Sequence, residues 1–150
     1  MASDVTNKGK FRLAEQALSN GAEPTVLFLA LITSAVAPTE DINTFSELTE
    51  IAAGNGYTAG GISLTRNATN FPTTEDDTNN WMNCDIPDQV WTAAGGPIPA
   101  SGGGARWAIL TDDNVTQSAR EVYAWFDLVS DRTISSGQTL TIQNAILRFT

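Results

Sequence analysis

Residues 122–128 read Val-Tyr-Ala-Trp-Phe-Asp-Leu, so Val122, Ala124, Phe126 and Leu128 alternate with Tyr123, Trp125 and Asp127. A period of two belongs to an extended strand with one face turned inward, and a helix would need a period of 3.6. The pattern continues towards the C-terminus. Leu140 and Ile142 share one parity, and Ala145, Leu147 and Phe149 share the other. A β-bulge near Gln143-Asn144 would bring the two sets onto one buried face. Ser135-Ser136-Gly137, just upstream, has turn chemistry.

The rest of the chain repeats this grammar in shorter pieces. Residues 25–33, Thr-Val-Leu-Phe-Leu-Ala-Leu-Ile-Thr, have no alternation and follow Pro24, which predicts a strand buried on both faces. Ile62 and Leu64 alternate with Ser63 and Thr65, as in a half-buried strand. Residues 81–86, 89–92 and 106–111 predict further strands, the first two separated by Pro87. Thr44 and Glu47 have capping-box spacing for a single helical turn. Gly54, Gly56, Gly60 and Gly61 around Tyr57 predict unusual backbone angles or close approach. Residues 67–80 read as a polar surface loop, and 93–104, with five glycines and two prolines, as a long flexible connection.

One helix stands out against this background. Over residues 7–18, Phe11, Ala14 and Leu18 fall on one face with Leu13 and Ala17 beside them. Asp4 or Thr6 is placed to cap it, and Asn20-Gly21 to stop it. The expectation is an all-β fold, a β-sandwich of jelly-roll or Ig-like type with about seven to eight strands and a short N-terminal helix. Residues 1–20 form the N-terminal segment, and residues 21–150 a single β-sandwich domain.

Several function classes are disfavoured. The net charge is −9, which argues against phosphate-directed nucleic-acid binding and against docking on anionic lipid. Only 17% of residues are charged, below the usual quarter or so, and Thr, Ser, Asn and Gly carry the polarity instead. The longest apolar run, residues 26–32, is too short to span a bilayer. The polar start has no signal-peptide core, so synthesis in a cytoplasm is expected.

The chain has no histidine, which removes Ser-His-Asp and Cys-His catalysis and the usual zinc sites. Cys84 is the only cysteine and has no base beside it, so it reads as an inert thiol. No phosphate-binding glycine motif is present, since Gly102-Gly103-Gly104 runs into Ala105-Arg106. Acidic pairs at Glu40-Asp41, Glu75-Asp76-Asp77 and Asp112-Asp113 read as solvated loop acids. A calcium site from Asp112, Asp113 and Asn114 is a lesser alternative. Trp107 and Trp125 belong to strand patterns and read as core, and Trp81 and Trp91, with Tyr57 near, read first as core too, with an aromatic sugar or partner site as the lesser alternative. Neither an enzymatic role, nor a cofactor, nor a metal is expected.

An early Asn7-x-Gly9 leads into the helix, followed by the apolar strand at 25–33, Glu47-Leu48, Gly56-Tyr57, a strand ending near Asn67 and a Trp-containing stretch. Ile134-Ser-Ser-Gly137-Gln138-Thr139-Leu140-Thr141-Ile142 and a last apolar strand close the chain. This order of features resembles small structural proteins of tailed bacteriophages, of head-decoration (cement) or tail-fibre type. The glycine- and proline-rich stretch at 93–104 departs from that likeness. The resemblance implies a virion component that binds the major capsid protein or another virion protein, without catalytic residues to carry over. A capsid cement protein acting as a symmetric oligomer, a trimer before a dimer, is the first expectation. A tail-fibre or tail-adaptor component and a carbohydrate-binding module are the alternatives.

Contacts to a partner are expected from two loop-like segments, because a sandwich uses its inner faces for its own core. The N-terminal one offers Lys8, Lys10, Phe11, Arg12 and Leu18, and is expected to be dispensable for the fold over residues 1–10. The second is the 93–104 stretch with Pro97 and Pro99.

Overall fold

The structure is a computed structural model and describes residues 2–149. Its elements follow the chain as β1 (Ser3–Val5), α1 (Asn7–Leu18), β2 (Val26–Ile32), β3 (Ile62–Thr65), β4 (Thr73–Asp76) and β5 (Trp81–Ile86). Then come β6 (Gln89–Thr92), β7 (Ala105–Thr111), β8 (Val122–Arg132), β9 (Thr139–Ile142) and β10 (Ala145–Phe149). They form a five-stranded sheet in the order β1-β8-β7-β2-β3, a three-stranded sheet β10-β5-β4 and a pair β6-β9. All strand pairings are antiparallel.

The expected all-β sandwich with one N-terminal helix is what the chain adopts. The central strand β2 shows why its sequence does not alternate. Leu27, Leu29 and Leu31 point into the main core, which they share with Ile86, Trp91, Ile142 and Leu147 from the two smaller sheets. Ala30 and Ile32 point the other way, into a second core with Trp107, Ile109 and Val122. Ile42, Phe45 and Leu48 roof that second core, carried by a single 3₁₀ turn at Phe45–Glu47. The Thr44–Glu47 capping box is present, with the Glu47 carboxylate accepting from the Thr44 backbone N–H at 2.7 Å. The large sheet is thus covered on both faces, which is why its middle strands are almost wholly apolar.

The bulge expected near Gln143-Asn144 lies elsewhere. Residues 143–144 break the chain into two strands with different partners: β9 pairs with β6, and β10 with β5. Asn144 takes a left-handed conformation (φ 55°) at the switch. The bulge is in β8. Leu110 sits opposite Ala124 but Thr111 opposite Val122, so Tyr123 is an extra residue. In consequence Val122 faces the second core while Tyr123 and Ala124 both belong to the first.

Two strands go beyond those foreseen. The 67–80 region contains β4, an exposed edge strand paired to β5, and Ser3–Val5 forms the other edge addition, β1, paired to β8. Residues 93–104 are not a flexible connection. The Ile98 and Ile134 backbones bond each other reciprocally at 3.0 and 2.9 Å. Ala94 N–H donates to Asn55 O at 2.8 Å, and Asn55 Nδ2 donates to Pro97 O at 2.8 Å. Ile98 is buried in the main core. Gly56 explains one glycine of the Tyr57 group: a Cβ there would lie 2.1 Å from Thr92 O, so the two loops meet backbone to backbone.

Candidate functional site

The β8 bulge is where the N-terminal segment is fastened. A bulge leaves backbone groups out of the ladder, and here Thr6 takes them up. Its N–H donates to Tyr123 O at 3.0 Å, and its hydroxyl donates to Val122 O at 2.5 Å. The same Thr6 oxygen accepts from Gly9 N at 2.9 Å, so Thr6, not Asp4, is the N-cap of α1. Gly9 rests directly on β8, since a Cβ there would lie 2.2 Å from Tyr123 O. β1 pairs with β8 from Val5↔Ala124 to Ser3↔Phe126, and Ser3 Oγ donates to Ile146 O at 2.6 Å. Residues 3–10 are therefore built into the sheet edge, where residues 1–10 were expected to be dispensable for the fold.

Glu121, one residue before β8, gathers the basic residues of the helix. Arg12 donates through Nε to Oε2 at 2.5 Å and through Nη2 to Oε1 at 2.8 Å. Lys8 Nζ lies 3.6 Å from Oε1, and Arg12 also pairs with Glu15. The Arg12 hydrogen bond holds the Glu121 carboxyl below its ordinary value, and the Arg12 guanidinium is raised by the same bond. Lys10 reaches Glu40 at 3.5 Å. The positive charge expected to meet an acidic partner is thus met largely by acids of the same chain.

What the helix leaves outward is apolar. Phe11 is 55% exposed and Leu18 85%, with Ala14 exposed between them. These residues form one stripe at i, i+3 and i+7. Lys8 Nζ and the Arg12 guanidinium carbon each lie 5.7 Å from the Phe11 ring centroid, which flanks the stripe with cations. Leu13 and Ala17 turn the other way and border a cavity beneath the helix. Of the second predicted contact segment, Pro97 is exposed but Pro99 is buried, so Pro99 has no free surface to offer.

The remaining candidates resolve into packing roles. Asp112 and Asp113 are partly exposed acids that also hold hydrogen-bond partners within the chain. Asp113 Oδ2 accepts from Thr25 N at 2.9 Å and Thr25 Oγ1 at 3.1 Å, while Asp112 Oδ1 accepts from Glu121 N at 2.9 Å. No group of three or more acidic or sulfur ligands that could hold a metal ion is gathered among the described residues. The Cys84 thiol is buried, and burial pushes its pKa up to about 11. The imagined aromatic cluster divides. Trp91 and Tyr57 are buried with ring centroids 6.3 Å apart, whereas Trp81 lies on β5 beneath the Arg148 guanidinium, 4.0 Å away.

Thr6 was expected only as one of two candidate caps and Gly9 only as part of Asn7-x-Gly9, and Glu121 was not singled out from the sequence. Asn7-x-Gly9 carried a signal, a glycine in the first turn of an otherwise good helix, and close approach to β8 is its cause. No helix among the described residues is long and apolar enough to cross a membrane. No protein-family model, no curated protein and no solved structure matches this chain.

Proposed function

We propose that this chain is a structural subunit of a tailed-phage particle, a capsid cement or decoration protein that grips the major capsid protein lattice as a symmetric oligomer. The observation that carries the reading is the outward Phe11-Ala14-Leu18 stripe on a helix fastened to β8 by Thr6, Gly9 and Arg12. A stripe held on a rigid support presents apolar surface at little ordering cost, which is what an assembly contact needs. The phage assignment itself rests on the resemblance in the order of sequence features. The reading includes no catalytic step, no cofactor, and no nucleic-acid or membrane contact. A trimer is proposed before a dimer.

A tail-fibre or tail-adaptor role would use the same stripe on a different neighbour, and labelling purified particles separates head from tail. A sugar-binding module finds less support. Trp91 is buried, and Arg148 already covers one face of Trp81.

Sedimentation equilibrium of the whole chain tests the reading. The wild type is expected at trimer mass, and Leu18→Asp with Phe11→Ser at monomer mass with an unchanged far-UV spectrum. The same variant should lose occupancy on particles. A wild type that is monomeric and also absent from particles would overturn it.

A further inference from the structure

The cavity beneath α1 lies between the helix and the open end of the sandwich and measures about 430 Å³. Its floor is the buried side chains of Val5, Leu27, Cys84, Leu110, Tyr123 and Leu147. The size is roughly three times that of an apolar cavity of ~150 Å³ that holds one benzene, and it falls in the range of small-molecule sites. Protein interiors close-pack, so a natural core does not leave such a space empty by neglect. The rim is different in kind. Leu13 and Ala17 come from α1, Met82 and Thr73 from the three-stranded sheet, and all four are exposed.

Two donors border this space. Among the described residues, Arg66 is the only charged side chain on the lining. It pairs with Glu23 at 2.7 Å and reaches Pro24 O at 3.5 Å, both through Nη1, which leaves the rest of its donor fork. Gln16 also borders the cavity, and its buried Nε2 faces the Tyr123 phenol without reaching full hydrogen-bond geometry to it or to any other acceptor among the described residues. A buried amide N–H without a partner is uncommon in native proteins and calls for an acceptor.

We propose that this cavity binds one medium-length alkyl chain ending in an oxygen acceptor, a fatty monocarboxylate, with the chain against the apolar floor and the head group at Gln16 and Arg66. The apolar floor recognises the chain, and the two donors select a carboxylate over a cationic head. The site lies on the opposite side of α1 from the Phe11-Leu18 stripe and stands whether or not that stripe is an assembly contact.

The test is calorimetric titration of the full chain with decanoate, decanol and decyltrimethylammonium. Decanoate is expected to saturate at one molecule per chain, decanol to bind more weakly, and the cation weakest. Ala17→Phe places a ring from the exposed rim into the space, and should weaken decanoate by about tenfold or more while the unfolding midpoint holds. Should that variant unfold, Arg66→Gln and Gln16→Leu carry the test, each reducing the preference for decanoate over decanol. Absence of saturable decanoate binding, or binding indifferent to every one of these variants, overturns the proposal. So does an Ala17→Phe protein whose sedimenting mass changes while its decanoate affinity does not, since the cavity would then be a contact between copies.

Discussion

Arg12 and Glu121 face each other as two forks, Nε to Oε2 at 2.5 Å and Nη2 to Oε1 at 2.8 Å, and so tie the middle of α1 to the start of β8. The pair is partly buried, with side-chain exposures of 32% and 18%, and Lys8 shares the same carboxylate. Two parallel bonds fix orientation as well as distance, so the helix is held against rotation about its own axis. That is what keeps Phe11 and Leu18 pointing outward.

Glu121→Gln should therefore loosen the helix more than the body. Amide exchange over residues 7–18 is expected to quicken, and global stability to fall by about 1 kcal/mol, the upper end for a partly exposed pair. The pH dependence has a definite sign. Because the folded pKa of Glu121 is depressed by Arg12, its contribution is present above the unfolded value of about 4.3 and is lost as pH falls through the folded value. Denaturant titrations at about pH 7 and at about pH 3.5 should show a smaller acid loss in the variant than in the wild type.

Thr6→Val and Gly9→Ala probe the same attachment from the backbone side. Valine keeps the shape but removes a hydroxyl that donates to Val122 O and accepts from Gly9 N. The expected cost is about 1–2 kcal/mol, a lost N-cap plus a buried carbonyl left short of a donor. Alanine in place of glycine favours an isolated helix by up to about 1 kcal/mol. At Gly9 the added Cβ would sit 2.2 Å from Tyr123 O, so the opposite sign is expected. A Gly9→Ala protein more stable than the wild type in urea would show that the helix does not rest on β8.

The sequence made some of this legible and hid the rest for identifiable reasons. The bounds of α1 could be read because Thr6 and Asn20-Gly21 are local signals, although the left-handed residue is Asn20 (φ 53°) and not Gly21. The parity break between Ile142 and Ala145 was visible, but parity cannot distinguish a bulge from a chain that changes sheets. The real bulge left no trace, because Val122 and Tyr123 are both core residues and only their faces differ. β4 is Thr-Thr-Glu-Asp, without an apolar residue, and is held by backbone pairing to β5 alone. The 93–104 stretch looked free by composition, and its tethers to Asn55 and Ile134 are contacts across the fold. The outward stripe was readable as a pattern, whereas its fastening depends on Glu121, more than a hundred residues away from Arg12.

Asp112 and Asp113 should respond differently to the same change. Asp113→Ala removes the acceptor for Thr25 N and Oγ1 and is expected to cost about 1 kcal/mol. Asp112 is a different case. Burial raises its pKa, with Glu121 and Asp113 adding repulsion, so the charged form is disfavoured and stability from this group is lost as pH rises through the folded value. Asp112→Asn keeps an oxygen for Glu121 N without the charge, and should leave the thermal midpoint at neutral pH unchanged or higher. Asp112→Ala should lower it. An asparagine variant as damaged as the alanine one would show that the charge, not the acceptor, is what the site uses.

Tyr57 lies at the bottom of the glycine-rich loop and joins that loop to the central strand. Its hydroxyl accepts from Leu31 N at 3.0 Å and donates to Glu50 Oε1 at 2.7 Å. Leu31 is fully buried, and desolvation together with Glu50 keeps the phenol protonated far into the alkaline range. Tyr57→Phe would therefore strand the Leu31 N–H in an apolar core, at a cost of roughly 1–3 kcal/mol. Glu50 would be less affected, because Gly60 N at 2.6 Å and Gln117 Nε2 at 2.5 Å still reach its carboxylate. The two losses share one bond, so Tyr57→Phe and Glu50→Gln together should destabilise by less than the sum of the single changes. A double-mutant cycle in urea measures this. Strict additivity would mean that Tyr57 serves Leu31 alone, and that Glu50 holds the loop through Gly60 and Gln117 without it.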